Sequence, residues 1–142
     1  MSVEPRLVLL DTHIWLWLMS GAPQATSPSL RTLVEKLAPD NGVRISAISL
    51  WEIGLLVLKN KIEFIGNFKD HIYRALEDLG VGVEAISGEI AMDSTLLPKT
   101  AHGDPADRII IATAKHIGAT LITRDKEILS YSKKHDLPAA SL

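Results

Sequence analysis

Residues 7–19 read LVLLDTHIWLWLM, an apolar run, one acid, and a second apolar run. Residues 6–10 suit a strand buried on both faces, because such a strand is apolar at successive positions rather than at alternate ones. THIWLWLM is apolar on most sides, as expected of a helix packed on a sheet, and Gly21 and Pro23 end it. The same grammar recurs down the chain. VRIS (43–46) precedes SLWEIGLLVLKNK (49–61), a helix whose Ile53, Leu56 and Val57 belong to a wide apolar face. VGVEAIS (81–87) reads as a third strand before a short helix, EIAMDSTLL (89–97), and TLIT (120–123) as a fourth before KEILSYSKK (126–134). LPAAS (137–141) offers a last strand.

Three further helices fill the intervals. SPSLRTLVEKLAPD (27–40) has Ser27 to cap, Pro28 at the first helical position, and Leu30, Leu33, Val34 and Leu37 at helical spacing. GNFKDHIYRALEDLG (66–80) keeps Phe68, Ile72, Ala75, Leu76 and Leu79 in register, and PADRIIIATAKHIG (105–118) is closed by Gly118. Strands alternating with helices predict an α/β fold with a mainly parallel sheet covered on both faces. In such sheets the ligand crevice lies beyond the carboxyl ends of the strands, so the residues after each strand come first.

A chain of 142 residues fits one domain, taken here as 1–142. The net charge of −2, with Lys and Arg in both halves, does not by itself announce a nucleic-acid binder. No cysteine is present, which excludes disulfides and thiolate metal sites and leaves oxygen or imidazole, a choice that favours a hard cation. The apolar N-terminal stretch is interrupted by Asp11, Thr12 and His13 and lacks a basic flank or cleavage site, so we expect a cytoplasmic protein with no membrane segment. A hydrophobic fraction of 46% points to a buried partner surface.

Asp11 follows the first strand, Glu52 lies shortly after the second, Asp125 follows the fourth, and Asp107 opens the helix leading into the fourth. Each has an ordinary structural explanation. Asp11 and Asp125 can cap helices, Ser49 and Glu52 have capping-box spacing, and in HGDPADRI (102–109) Asp104 fits the cap, Pro105 the first helical position and Asp107 the third. Two considerations favour chemistry when the four are taken together. Asp11 and Glu52 sit among strongly apolar neighbours, where a carboxylate is costly without compensation. The parallel topology also converges all four on one crevice, where close carboxylates repel unless some take up protons or a divalent cation neutralises them. Oxygen-only ligands fit Mg²⁺ or Mn²⁺, which grip phosphate oxygens and assist in-line displacement, so hydrolysis of a phosphodiester is the expected chemistry.

The segments LLDTHIWLWL (9–18), ISAISLWEIGLLVLKNKI (45–62), HGDPADRIIIATA (102–114) and TLITRDKEIL (120–129) resemble, in order, those of PIN-domain nucleases, specifically the VapC-like ribonuclease toxins of type II toxin–antitoxin pairs. The resemblance implies a three-layer α/β/α sandwich, Mg²⁺- or Mn²⁺-dependent RNA cleavage leaving a 5′-phosphate and a 3′-hydroxyl, a homodimer, and inhibition by an antitoxin protein. The family's acids fall on Asp11, Glu52, Asp107 and Asp125, and its supporting hydroxyls on Thr12 and Thr123. Asn60 stands where many relatives have glycine, and Leu56 where some have a basic residue.

Arg108 and Arg124 each follow an acid and are candidates for RNA phosphates, with a pair that orients a carboxylate as the alternative. Asp104 is a cap with a supporting role in view. His102 is a substrate or proton-transfer candidate better read as a loop histidine, and Trp15, Trp17 and Trp51 are read as core packing, with base stacking or a partner surface as alternatives. Lys133, Lys134 and His135 read as a solvated basic face. A receiver domain would need adjacent acids after the first strand, where Asp11 is followed by Thr12, and a haloacid-dehalogenase-type phosphatase would need a second aspartate two residues on, where His13 stands. A catalytically silent PIN fold, or a PIN nuclease of RNA processing, is the remaining alternative.

Overall fold

The computed structural model describes residues 4–21, 27–98 and 103–142; Pro23 and His102 lie outside them. Strands β1 (Val8–Leu10), β2 (Val43–Ser46), β3 (Gly82–Glu84), β4 (Thr120–Ile122) and β5 (Ala139–Ala140) form one sheet in the order β3-β2-β1-β4-β5. Every pairing is parallel, with Val8 opposite Val43 and Thr120, and Leu10 opposite Ile45 and Ile122. All three β1 residues are fully buried, which is why an uninterrupted apolar run marks the centre of the sheet.

Side chains alternate between two cores. Val8, Leu10, Ile45 and Ile122 face helices α1 (Thr12–Ser20), α2 (Pro28–Leu37) and α4 (Phe68–Leu79), meeting Trp15, Val34 and Ile72. Leu9 and Leu121 face α6 (Pro105–Ile117) and α7 (Lys126–Lys134), meeting Ile110, Ile111 and Ile128. Helix α5 (Gly88–Leu96) packs on α6, and α3 (Ala47–Leu58) touches both cores, Ile53 one and Ile48 the other. The expected α/β/α sandwich is therefore what forms.

Helix starts follow the expected chemistry at Ser27, Asp104, Asp125 and Asp11, whose side chains accept backbone N–H groups of the first turn. Gly118 ends α6 in the left-handed region. Asn60 follows α3 at φ 58°, a conformation that glycine and asparagine tolerate and most residues do not. One start is corrected. Helix α3 begins at Ala47 with Ser46 as its cap, two residues earlier than the sequence pattern suggests, so the capping-box alternative for Ser49 and Glu52 falls away and Ser49 lies buried inside the helix. Trp51 is also corrected, from core packing to 58% exposure. Among the described residues, α3 fully buries only Ser49 and Ile53 despite its apolar sequence, leaving Trp51 and Leu58 at the surface. No described helix is long and apolar enough to cross a membrane.

Candidate active site

Because β2, β1 and β4 are neighbours and parallel, the segments leaving their carboxyl ends open onto one edge of the sheet. Asp11 is the first residue beyond β1, and its extended backbone (φ −61°, ψ 156°) turns the chain into α1. Only 7% of it is exposed. Oδ1 accepts the Thr12 N–H at 2.8 Å and Oδ2 accepts the Thr123 hydroxyl at 2.7 Å, so the burial of this carboxylate is compensated oxygen by oxygen. The same Thr123 Oγ1 accepts the Asp125 N–H at 3.0 Å and thereby ties the exit of β4 to that of β1.

Glu52 occupies the second turn of α3, and its Oε1 accepts the Thr12 hydroxyl at 2.7 Å. Ser49 Oγ stands 2.7 Å from that hydroxyl. Thr12 has a single hydroxyl proton, spent on Glu52, so Ser49 donates to Thr12 and a buried relay of two hydroxyls fixes the glutamate. Burial pushes the Glu52 carboxyl above its ordinary range, the Thr12 bond opposes this, Asp104 and Asp11 add to it, and His13 pulls the other way. The shift thus records chiefly the burial of this carboxylate, with the neighbouring acids adding to it.

The remaining acids arrive on helix starts. Asp104 caps α6 through Oδ1, which accepts the Ala106 and Asp107 N–H groups at 2.8 and 3.3 Å, and this fixes Asp107 in the first turn. Asp125 caps α7 in the same way, its Oδ1 accepting the Glu127 and Ile128 N–H groups at 2.8 and 3.1 Å. Asp11, Glu52, Asp104, Asp107 and Asp125 line a single cleft of about 290 Å³ together with Thr12 and Arg124. Among the described residues no three acidic or imidazole side chains are gathered closely enough to hold a metal ion as they stand; the five acids share the cleft's lining. These five acids offer oxygen donors, the donor set that fits a hard divalent cation.

Arg108 departs from expectation. Its guanidinium is absent from the cleft lining and donates to the carbonyls of Ser94 (3.0 Å), Leu97 (2.8 Å) and Pro98 (3.4 Å), closing the carboxyl end of α5. Two further residues line the cleft: His13, for which the sequence carries no functional expectation, and Trp17, which packs partly on the core as expected and also borders the cleft. Their signal is their mutual spacing on α1, since His13 lies in the first turn and Trp17 one turn beyond it on the same face. Trp15, by contrast, is fully buried as expected, and Lys133, Lys134 and His135 stay off the cleft.

A model of the PIN domain matches residues 8–134. Ribonuclease VapC22 of Mycobacterium tuberculosis is 30% identical over 131 residues, covering 92% of this chain and 95% of the relative. Among solved structures, VapBC2 from Rickettsia felis bound to a DNA fragment from its promoter superposes with a TM-score of 0.67 at 20% identity, over 95% of this chain and 98% of that one. A toxin–antitoxin complex from Klebsiella pneumoniae superposes with a TM-score of 0.55 at 28% identity, over 85% and 89%.

Proposed function

The chain belongs to the PIN-domain family, and from that premise we infer a divalent-metal-dependent endoribonuclease that serves as the toxin of a type II toxin–antitoxin pair. The observation that carries the chemistry is the convergence of five carboxylates on one cleft, two of them held by dedicated hydroxyls. Asp11, Glu52 and Asp107 would hold Mg²⁺ or Mn²⁺, with Asp125 completing the negative charge. Such an ion, when bound, supplies a grip on a phosphate oxygen and lowers the pKa of an attacking water.

The chain's own contribution is to present charge without letting it scatter. Thr123 fixes Asp11 against Asp125, the Ser49–Thr12 relay fixes Glu52, and Asp104 sets the turn that carries Asp107. RNA is the substrate, and inhibition falls to a cognate antitoxin in the cytoplasm. The exposed Trp51 and Leu58 on α3 support a protein contact, to that antitoxin or in a homodimer. The ribonuclease named among the relatives and the toxin–antitoxin complex among the solved structures support this assignment.

Digestion of cellular RNA by the purified protein, with and without EDTA, tests the reading. Cleavage that EDTA stops, that Asp11→Asn and Asp107→Asn abolish in folded protein, and that yields 5′-phosphate ends is expected. Undiminished cleavage in EDTA, or full activity in either variant, would overturn it.

A further inference from the structure

One wall of the acidic cleft is neither acidic nor part of the carboxylate scaffold. Trp17 lies half-buried on α1, and the guanidinium carbon of Arg124 sits 4.8 Å from the centroid of its indole. That is cation–π distance. One Arg124 nitrogen also donates to the Leu142 carbonyl at 3.3 Å, so the exposed guanidinium is held from two sides rather than left to wander. His13, one turn back towards Asp11, meets the Trp17 ring edge-on, with centroids 6.3 Å apart and planes at 63°. All three residues line the same cleft as the acids.

This arrangement has no use in holding a cation. Arg124 is the only permanently cationic side chain lining the cleft among the described residues, and a metal site gains nothing from a guanidinium beside it. It does suit a nucleotide. Guanidinium planes and indole rings are the groups on which unpaired bases stack, and a guanidinium edge offers N–H donors to phosphate. The Arg124–Trp17 pair also borders the same cleft as the acids, so a nucleotide stacked there lies beside the phosphate they would act on.

We propose that Trp17 and Arg124, flanked by His13, form a stacking subsite for the unpaired nucleotide adjacent to the scissile phosphate. Arg124 touches the nucleotide, and Trp17 is a positioning residue that holds the guanidinium plane. This rests on the ribonuclease reading above.

The test is steady-state cleavage of a short unstructured RNA containing a cleavage site mapped from digested cellular RNA. Arg124→Lys keeps the charge and loses the plane, and should raise KM roughly tenfold with little change in kcat. Trp17→Ala should do the same, and Trp17→Phe, which keeps a ring and guards against misfolding of the alanine variant, should recover most of the loss. Against an RNA whose base is removed at one flanking position, Arg124→Lys and wild type should become equivalent, a coupling that a merely structural role would not produce. A KM unchanged in Arg124→Lys, or a penalty that persists when the base is removed at every flanking position, overturns the subsite. Unchanged RNA kinetics with weakened inhibition by a partner protein would overturn it too, by assigning the wall to that partner. A wild-type protein that cleaves no RNA refutes the ribonuclease reading, and the subsite with it.

Discussion

Thr123→Val is the substitution that most directly asks whether the carboxylate cluster is held by design. The side chain is fully buried, valine matches its shape, and the only loss is a hydroxyl that donates to Asp11 at 2.7 Å and accepts from the Asp125 amide at 3.0 Å. A hydrogen bond to a charged group contributes about 1.5–3 kcal/mol, and an amide left unsatisfied costs about 1 kcal/mol more, so a loss of about 2–4 kcal/mol is expected. For 142 residues the entropy of melting is roughly 0.3 kcal/mol/K, which converts this to a fall in Tm of about 7–13 °C. Thermal unfolding followed by circular dichroism in EDTA measures the effect of the hydroxyl alone. Calorimetric titration with Mn²⁺ should then show affinity reduced by about 10–100-fold, the usual cost of removing a group that orients a metal ligand. Thr123→Ser retains both bonds and should restore most of each quantity. If Thr123→Val melts with the wild type and binds the ion equally well, Asp11 is not held by this hydroxyl and the account of the site is wrong.

Glu52→Gln should raise stability in EDTA near neutral pH. The carboxyl is raised above its ordinary value of 4.5, so the native state binds the proton more tightly than the unfolded chain, and this contribution is fully present below pH 4.5 and lost as pH rises through the raised value. The gain in Tm, roughly 3 °C per kcal/mol of charge burial relieved, should vanish in acid, while divalent-ion binding weakens at neutral pH; a variant less stable than wild type at pH 7 would contradict the sign. Asp104→Asn, still a competent cap, should spare both stability and metal binding, whereas Asp107→Asn should abolish binding; equal losses in calorimetry would merge their roles. Arg108→Ala should lower stability by about 1–3 kcal/mol in urea titration, through the three carbonyls it serves, and leave KM for RNA unchanged; a raised KM would return Arg108 to the substrate.

Most of the fold was legible because its elements are punctuated locally. The buried run before Asp11, the capping chemistry at Ser27 and Asp125, and the left-handed Gly118 each operate within a few residues, and a parallel sheet follows from their alternation. The failures share one cause. Ser49 and Glu52 are three apart whether they form a capping box or lie mid-helix, and only the extended backbone of Ser46 and the distant Thr12 hydroxyl decide between the two. Arg108 and Trp51 adjoin acids of the cleft, yet successive helical residues project about 100° apart, so adjacency in sequence carried Arg108 to α5 and Trp51 to the surface. His13 and Trp17 are the converse, separated by one turn and therefore on one face. The acids themselves pose a subtler problem. A helix cap requires extended backbone and a carboxylate turned towards the first amides, and at the carboxyl end of a parallel strand that same posture faces the crevice. Asp11, Asp104 and Asp125 all cap helices and all line the cleft. Capping and ligation are thus successive uses of one geometry, and spacing cannot separate them. Convergence does, since β1 stands between β2 and β4 and their exits bring to one place carboxylates that no helix, taken singly, required.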